Sequence, residues 1–598
     1  MTLGTATSGP ILAAYQQDPR AVGGSLAWSA LLAVIPLAVV LLLLGVLRVR
    51  AHWAALAGLA ASLIVAIAGF GIPIGMSLSA AAHGAFFGLF PILWIVVNAL
   101  WVFNMTVATG HFDVLRRSFG AFSSDQRTQA ILVAFCFGAL LEALAGFGAP
   151  VAITSVMLMA LGFKPLRAAI LALVANTAPV AFGAMGVPVI TLASVTGLPL
   201  DQVASVVGRQ TPVLALFVPL VLVFIVDGRR GVREAWVPAV AAGVVFAIAQ
   251  FVTSNFISVA LTDIVASLLA AIAVVLLSRA RPDAVWAARD ARGATGGRGT
   301  DGPEAAGEAA GRPGGPSRPV PTTTGPATTG PATTGAAASE PAPGGPTTTL
   351  ADTPAEIRRA YAPYVIIVAV FALAQLPGIK PAIDSLKLAF RWPGLDVVGT
   401  NGRPHSTTMY SLTWLSTAGT LMLISGVIVA AVLGVGAGKA LATWARTVSE
   451  LKWAILTVAA VLALAYVMNA SAQTAAIGLL IAGAGGALAF LSPLLGWFGV
   501  AVTGSDTSAN ALFGALQVTA ANQAGLPPEL LAGANSSGGV LGKMLSPQNL
   551  TIAAVAVKLD GQEGLLLRKI IGWSLGMLLV LAVLIYLQST PVLGWMLP

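Results

Sequence analysis

Apolar side chains fill long, nearly unbroken runs along most of the chain. The runs are about 20 residues long, which is the length an α-helix needs to cross roughly 30 Å of hydrocarbon. They therefore predict membrane-spanning helices rather than the amphipathic helices of a soluble domain. In the first half we expect them near 26–47, 53–70, 84–107, 128–146, 148–163, 168–192, 211–227, 236–256 and 258–278. In the second half we expect them near 361–376, 411–436, 453–469, 471–491, 494–521, 530–557 and 570–588.

Three of these runs do not look like simple spans. Runs 148–163, 494–521 and 530–557 are too polar, or too often interrupted by glycine and proline, to cross as one regular helix. Irregular backbone at membrane depth is tolerated where protein covers it or where it lines a water-filled cavity. The pattern predicts an all-α polytopic membrane protein with about 12 to 14 transmembrane helices and some interrupted or re-entrant segments.

The amino-acid composition changes completely between residues 279 and 357. The stretch TTTGPATTGPATTGAAASEPAPGGPTTT is repetitive and nearly free of large apolar side chains, so it predicts a disordered linker. The chain then divides into an N-terminal tail (1–25), a first transmembrane half (26–278), the linker (279–357) and a second transmembrane half (358–598). Basic residues concentrate in alternate loops, which predicts an external N-terminus and a cytoplasmic linker if run 148–163 crosses fully. If that run is a hairpin, the later assignments reverse.

The two halves resemble each other locally. NTAPVAFGAM (176–185) can be aligned with TSANALFGAL (507–516), and each is followed by Gly-Leu-Pro and then an acidic residue. This order predicts an internal duplication. Duplicated halves with glycine- and proline-interrupted segments are typical of secondary transporters, whose binding sites form at those interruptions.

Composition and charge narrow the class of protein. The chain is 57% hydrophobic and 9% charged, whereas soluble domains are about 25% charged. Its net charge of +9 fits basic cytoplasmic loops better than a nucleic-acid partner. The single cysteine and four scattered histidines show no metal-ligand spacing. No nucleotide-binding loop or hydrolase motif is present, so we expect neither an ATP-driven pump nor an enzyme, and no cofactor beyond a coupled ion.

The stretch CFGALLEALAGFGAPVAI (136–153) places one carboxylate, Glu142, within an apolar run. Gly146, Gly148 and Pro150 follow it and are expected to break the helix. Ionisable residues at membrane depth are costly and are therefore functional candidates. We interpret Glu142 as a proton carrier or ion ligand. The alternative is a structural carboxylate that caps the broken helix or pairs with a base.

Two further polar patches lie at membrane depth. In AVTGSDTSANALFGALQ (501–517), helix-start residues predict that an interrupted helix resumes at Ser505 or Asp506, where free N–H groups would bind an anion. The alternative is a polar turn outside the membrane. In GANSSGGVLGKMLSPQN (533–549), Lys543 could balance a carboxylate or extend to the membrane interface. The substrate-binding candidates are Asn176, Thr177, Arg209, Ser505, Thr507, Ser508, Asn510, Asn535, Ser536, Ser537 and Lys543.

Four long motifs resemble the bacterial L-lactate permease family. They are LEALAGFGAPVAI, ALVANTAPVAFGAMGVPV, GSDTSANALFGALQ and GANSSGGVLGKMLSPQNL. The resemblance covers both transmembrane halves and implies uptake of L-lactate, and of related 2-hydroxymonocarboxylates such as glycolate, by proton symport across the bacterial plasma membrane. It also implies inverted repeats with interrupted helices. The linker is not expected in the family core, so we interpret it as an insertion.

The resemblance and the polar patches together assign roles. The lactate carboxylate would be held by segments 505–510 and 535–537, with Asn176 and Thr177 opposite and with Lys543 or Arg209 adding charge. Glu142 and Asp506 would bind the coupled proton. The rival functions are a sodium-coupled carboxylate transporter with Asp506 as ion ligand, a membrane-embedded enzyme and a passive channel. Substrate preference and oligomeric state stay open.

Overall fold

The computed structural model describes residues 14–121, 125–146, 148–280, 352–400 and 402–598. Within these ranges the chain is almost entirely helical, with only four short strands, which confirms the predicted all-α polytopic fold. The linker prediction concerns 279–357, most of which lies outside the described residues. It stays a prediction, as does the division into domains.

The helices of the first half follow one another with short connections. They are α1 (Leu26–Val46), α2 (Ala51–Gly69), α3 (Ile74–Ala108), α4 (His111–Ala121), α5 (Gln126–Ala145), α6 (Ala149–Ala160), α7 (Pro165–Ala175), α8 (Val180–Thr196), α9 (Leu200–Phe256) and α10 (Val259–Ala280).

The described part of the second half contains ten further helices and most of the strand residues. The helices are α11 (Pro354–Ala374), α12 (Ile379–Ser385), α13 (Ala418–Val432), α14 (Ala437–Ala470), α15 (Gln473–Ile481), α16 (Leu488–Thr503), α17 (Asp506–Ala524), α18 (Pro528–Lys543), α19 (Pro547–Ala556) and α20 (Glu563–Gln588). The strands are β1 (Tyr15–Gln16), β2 (Leu388–Arg391), β3 (Val397–Val398) and β4 (Met409–Leu412).

The described residues contain ten helices that are long and apolar enough to span a membrane, or eleven if α7 and α8 form one bent span. Helix α9 has 57 residues, about 85 Å at 1.5 Å per residue, so it is too long for one crossing. Non-helical backbone at Asp227 and Gly228 folds it back on itself, and Arg209 donates to Asn255 across the fold. It therefore supplies two crossings. Counting α7 and α8 as one span and α9 as two gives 12 candidate spans among the described residues, the lower end of the expected 12 to 14.

Helices α5 and α6 form a re-entrant hairpin that begins and ends on the same side. Helix α5 ends at Ala145, and α6 begins at Ala149 after Gly148, whose φ of +89° is left-handed. A Cβ on Gly162, just after α6, would lie 3.6 Å from the side chain of Gln126 at the start of α5. Of the two arrangements left open for run 148–163, the structure shows the hairpin. We call it the first hairpin.

Helices α16 and α17 form the second hairpin, whose tip is Gly504 and Ser505. The two helices are tied together where Ser492 donates to Gln517 at 2.9 Å. The open end of this hairpin lies at the same end of the molecule as the α8–α9 turn, because Leu198 and Leu526 pack against one apolar cluster. The first hairpin opens at the other end, where Arg127 pairs with Glu234. The two hairpins therefore enter the molecule from opposite ends.

Each hairpin is followed by a broken helix. After the first hairpin, α7 and α8 are bent by 64° at the first break, 176–179. After the second, α18 and α19 are separated by the second break, 544–546, where Ser546 caps α19. The halves thus repeat the order hairpin, broken helix, in inverted orientation. The aligned segments 176–185 and 507–516 are not the equivalent elements: they belong to a broken helix and a hairpin, and α8 packs directly against α17.

The N-terminal segment is tied to the second half at the end opposite the basic loops. Strand β1 pairs in parallel with β3. The Gln17 amide donates to the carbonyls of Asn469 at 2.6 Å and Ala470 at 3.1 Å, which lie at the end of α14. The N-terminal segment and the loop between α11 and α13 therefore share one side. Because the first hairpin contains both runs 128–146 and 148–163 and begins and ends on the same side, it does not change the sides of later segments, and the expected reversal does not follow.

Helices α16 and α18 touch backbone to backbone through glycines. A Cβ added to Gly542 would lie 2.1 Å from the carbonyl oxygen of Trp497, and one added to Gly538 would lie equally close to that of Pro493. Small residues four apart allow this approach between membrane helices. The contact fixes the second hairpin against the second break.

Replacing Gly542 with alanine is expected to destabilise the protein by about 1–3 kcal/mol, because neither backbone can yield to the added methyl group. Thermal unfolding of the detergent-solubilised protein checks this as a lowered midpoint. Gly572→Ala is the control, since a Cβ there meets no atom within 4 Å. Equal midpoints for the two variants would contradict the close packing.

Candidate functional site

A cavity of about 60 Å³ lies where the two hairpin tips meet the two helix breaks. Since one buried water needs about 10–15 Å³ of such space, the cavity has room for a solute of a few heavy atoms. It is lined by Glu142 and Gly146 of the first hairpin, Val180, Gly183, Ala184, Val187 and Pro188 after the first break, Gly504, Ser505, Asp506 and Thr507 of the second hairpin, and Lys543, Gln548 and Asn549 around the second break. A larger, more open cavity between α3 and α14 contains none of the predicted residues.

An ion pair between the two halves forms one wall of the cavity. Nζ of Lys543 donates to Oε1 of Glu142, and both side chains are buried. The other carboxylate oxygen, Oε2, has no hydrogen-bond partner within the described part of the chain. A Cβ at position 183 would crowd this carboxylate, because it would lie 3.0 Å from Glu142 Oε1. A buried pair gains little net stability once desolvation is counted, so stability alone does not explain it.

Asp506 places a second carboxylate at the tip of the second hairpin. Its Oδ2 accepts from the Ser536 hydroxyl at 2.7 Å and from the Asn510 amide at 3.4 Å. Its Oδ1 has no partner among the described residues and faces Gly539, where a Cβ would lie only 2.2 Å away. Ser505 caps the helix that begins at Asp506, since its hydroxyl accepts from the Ser508 N–H.

Several predicted residues support the cavity wall without lining it. The Asn535 amide donates to Asn510 Oδ1 at 2.9 Å, and the Asn510 amide donates to the carbonyl of Pro188 at 3.1 Å. This network joins α17, α18 and α8 and holds Asp506 through Ser536. Ser537 is buried nearby, and its hydroxyl has no partner in the described ranges.

Three predicted residues lie away from the cavity lining. Asn176 and Thr177 are buried in the first break, where the Thr177 hydroxyl donates to the carbonyl of Val174. The Arg209 guanidinium donates to Asn255 at 3.0 Å and to the carbonyl of Met596 at 2.8 Å. Arg209 therefore ties the C-terminal residues to the fold of α9 and is not positioned as a carboxylate clamp.

The structure adds residues that the sequence reasoning did not select as ligands. Gln548 and Asn549 enter the cavity at the start of α19, and the Ser-Pro pair before them is the helix-start signal that points to this position. Ala184 and Met185 adopt left-handed φ angles of 45° and 61°, which bends α8 around the cavity. Nothing in a pair of non-glycine residues signals that conformation.

These groups suit a small organic anion. One ammonium group and the N-terminal ends of α17 and α19 favour negative charge, because the unpaired N–H groups and the helix dipole at a helix start both attract anions. Two carboxylates lie in the same cavity, and Val180, Ala184 and Val187 form an apolar wall. The described residues contain no cluster of three His, Cys, Asp or Glu side chains that could hold a metal ion.

Inverted hairpins and broken helices around a central polar cavity define the architecture of a secondary transporter. The chain belongs to the L-lactate permease family, whose sequence model matches residues 29–308 and 332–592. Both matched segments extend into the linker, so within residues 279–357 the family model leaves only residues 309–331 unmatched. The family is one of permeases, in line with the expectation that the protein is not an enzyme.

Individual relatives match over nearly the whole chain. A glycolate permease, GlcA of Escherichia coli K12, is 39% identical over 95% of this chain and 96% of its own length. An L-lactate permease of Bacillus subtilis 168 is 37% identical over 98% of this chain and its full length. The solved structure of MtrF from Neisseria gonorrhoeae covers 93% of this chain and 97% of its own, with 13% identity and a TM-score of 0.47.

Proposed function

We propose that the protein takes up L-lactate, and related 2-hydroxymonocarboxylates such as glycolate, by proton symport across the bacterial plasma membrane. The buried Lys543–Glu142 pair in the cavity carries this proposal. The relatives named as L-lactate and glycolate permeases support the substrate class. Carrying a monoanion with one proton moves no net charge, so an inside-negative potential does not oppose uptake.

The ion pair couples the proton to the substrate. A proton that binds Glu142 neutralises it and frees the Lys543 ammonium group, which then holds the lactate carboxylate in a charge-assisted hydrogen bond. The N-terminal ends of α17 and α19 add N–H groups, and Asp506 accepts from the 2-hydroxyl group. After the proton and the lactate are released on the other side, the Lys543–Glu142 ion pair forms again and leaves the empty cavity neutral.

The apolar wall accounts for preference among small hydroxy acids. Val180, Ala184 and Val187 offer a surface for the lactate methyl group, and glycolate leaves part of it uncovered. Burying one methyl group is worth about 0.8 kcal/mol, so such a wall favours lactate over glycolate only modestly. The cavity volume of about 60 Å³ favours two- and three-carbon acids over longer ones.

A second candidate is sodium coupling at Asp506. The observation that favours it is the carboxylate oxygen Oδ1, which has no partner in the described ranges and lies at a helix tip with exposed backbone. Hard cations such as Na⁺ bind carboxylate and carbonyl oxygens, and a broken helix supplies both.

Uptake into proteoliposomes separates these functions. We expect labelled L-lactate to accumulate when the lumen is alkaline, to stop when a protonophore collapses the gradient, and to be unaffected by replacing Na⁺ with choline. Unlabelled glycolate should compete with labelled L-lactate. Competition by D-lactate tests stereochemical selectivity, and competition by pyruvate tests whether the 2-hydroxyl group is needed. Accumulation that follows a sodium gradient at equal pH would overturn proton symport, and equilibration without accumulation would indicate a channel.

A further inference from the structure

A third buried carboxylate, Asp263, lies near the start of α10 and does not line the cavity. It is completely inaccessible to solvent. Its Oδ1 accepts one hydrogen bond, from the Gln250 amide at 2.9 Å. Its Oδ2 is buried and has no partner among the described residues. Neither the ion pair nor the substrate contacts proposed above use this residue.

The elements packed against α10 bring no cation into contact with Asp263 in the described part of the chain. The part of α5 that packs against α10, residues 130–145, brings Glu142 and Cys136, whereas Arg127 lies outside it. Neither α8 nor the turn Val259–Leu261 carries a titratable residue. The charged residues of α9 lie toward its ends and its central fold, and Arg209 is bonded to Asn255 and Met596. Helix α11 brings Glu356, Arg358, Arg359, Tyr361 and Tyr364.

A carboxylate in this position therefore carries a proton. An isolated buried carboxylate is strongly disfavoured, so the group is neutral when only a neutral amide faces it. Glu142 differs, because the ammonium group of Lys543 is bonded to it. The two carboxyl groups thus lie on helices that pack against each other, one paired with a cation and the other facing a neutral amide.

Asp263 is also linked to the segments around the first break. The Gln250 amide that binds it lies 3.4 Å from the carbonyl of Ala178, within the first break. Gly186, in the left-handed turn of α8, fits against Val259, four residues before Asp263. The turn that contains Val259 follows Asn255, at the end where Arg209 and Met596 meet. Asp263 therefore lies close to the end of α10 at which Asn255, Arg209 and Met596 meet, on a helix that packs against the one bearing Glu142.

We propose that Asp263 is a second proton-binding residue of the transport cycle, which delivers the coupled proton from the external side to Glu142. The O–H bond at Asp263 Oδ2 breaks as an O–H bond forms at Glu142 Oε2, and external solvent then reprotonates Asp263. Gln250 holds the transient carboxylate through its existing hydrogen bond. This relay rests on the proposed proton coupling at Glu142.

The test compares Asp263→Asn with Asp201→Asn in proteoliposomes. Asparagine keeps the hydrogen bond from Gln250 and the shape of a protonated aspartate, so it removes only the exchangeable proton. Asp201 is the control because it is an exposed aspartate in the first turn of α9. Each variant is assayed for exchange of preloaded lactate, for uptake driven by a pH gradient, and for lactate-induced proton influx with an entrapped pH dye.

We expect Asp263→Asn to lose proton influx and gradient-driven uptake by about 100-fold, the effect typical of a lost proton-transfer group, while exchange stays at the wild-type rate. Asp263→Glu, which keeps a titratable group, should recover part of the influx. Wild-type influx in Asp263→Asn would overturn the relay. Equal losses of exchange and influx would also overturn it, since a purely structural residue gives that result.

If Asp263→Asn does not fold, Asp263→Glu decides alone. The added methylene group displaces the carboxyl group, so a relay group should lose part, but not all, of the influx while exchange stays at the wild-type rate. Such a selective loss supports a positioned proton site. Influx and exchange that both match the wild type, or that fall together, overturn it.

The wild-type protein separates this inference from the proposed function. If lactate induces no proton influx in the wild type, proton symport itself is wrong. If the wild type couples and Asp263→Asn couples equally well, symport stands and only the relay is wrong.

Discussion

Replacing Lys543 with methionine is expected to abolish both net uptake and exchange of L-lactate. The variant lacks the only cation that the structure describes in the cavity lining, and it leaves Glu142 buried without its ion-pair partner. A lost charge-assisted hydrogen bond to the substrate costs about 1.5–3 kcal/mol, or roughly 10- to 100-fold in binding. An unpaired buried charge costs about 3–5 kcal/mol of folding free energy, so the unfolding midpoint should also fall.

The double variant Glu142→Gln, Lys543→Met separates the two losses. With both charges removed, the unfolding midpoint should return toward the wild-type value, because no uncompensated charge is left in the interior. Transport should stay absent, because no cation binds the carboxylate. Lys569→Met is the control for removing a lysine, since Lys569 is exposed on α20. Exchange at the wild-type rate in Lys543→Met would show that this lysine does not bind the substrate.

Replacing Glu142 with glutamine is expected to abolish accumulation driven by a pH gradient while preserving exchange of preloaded lactate. Glutamine imitates the protonated carboxyl group, so Lys543 stays available for the substrate in every step of the cycle. Exchange needs no net proton movement, whereas accumulation requires a group that binds and releases a proton. The amide oxygen of the introduced glutamine would still accept from Lys543, so the folding cost should be smaller than in Lys543→Met.

The measurement is paired uptake and counterflow on the same Glu142→Gln proteoliposomes, over a range of internal and external pH. Equilibrium lactate levels should become independent of the gradient, and the exchange rate should lose its pH dependence. Accumulation at the wild-type level would contradict the assignment of the proton to Glu142. Loss of exchange together with accumulation would instead indicate that the carboxylate shapes the site.

Much of the cavity lining could be predicted from the sequence, because ionisable groups at membrane depth are rare and costly. Glu142 and Lys543 are 401 positions apart, yet both meet that criterion, as does Asp506. Ser505 and Thr507 are predicted instead from the helix-start pattern around them. Arg209 also meets the criterion but lies near the start of α9, where it is bonded to Asn255 and Met596. An apolar run shows how long a buried segment is, and it does not show how deep each residue lies.

The direction of a helix after a break was not predictable from residue patterns. Run 148–163 fits equally well as a crossing or as the return arm of a hairpin, because hydropathy has no direction. The contact between Gln126 and Gly162 decides it. The left-handed bend at Ala184 and Met185 likewise depends on tertiary packing that no local signal encodes, and it shapes the apolar wall of the cavity.

The repeat was detected in the correct halves but between the wrong elements. Both aligned segments precede a Gly-Leu-Pro turn, and both turns lie at the same end of the molecule. Inverted equivalents must lie at opposite ends, so this similarity does not follow the fold's symmetry. The shared feature is the local chemistry of ending one helix and starting another, where glycine and proline recur.

The anchoring of Gln17 to the end of α14 has a consequence for biosynthesis. Gln17 leaves the ribosome before its acceptor Asn469, which follows 452 positions later. At roughly 5–20 residues per second, the two are separated by about 20 to 90 seconds of translation. During that interval the N-terminal segment that contains β1 lacks its partner strand β3, so insertion of the first half precedes closure of the fold. A ribosome stalled before residue 397 should therefore display residues 14–17 to an external protease, and release of the finished chain should protect them.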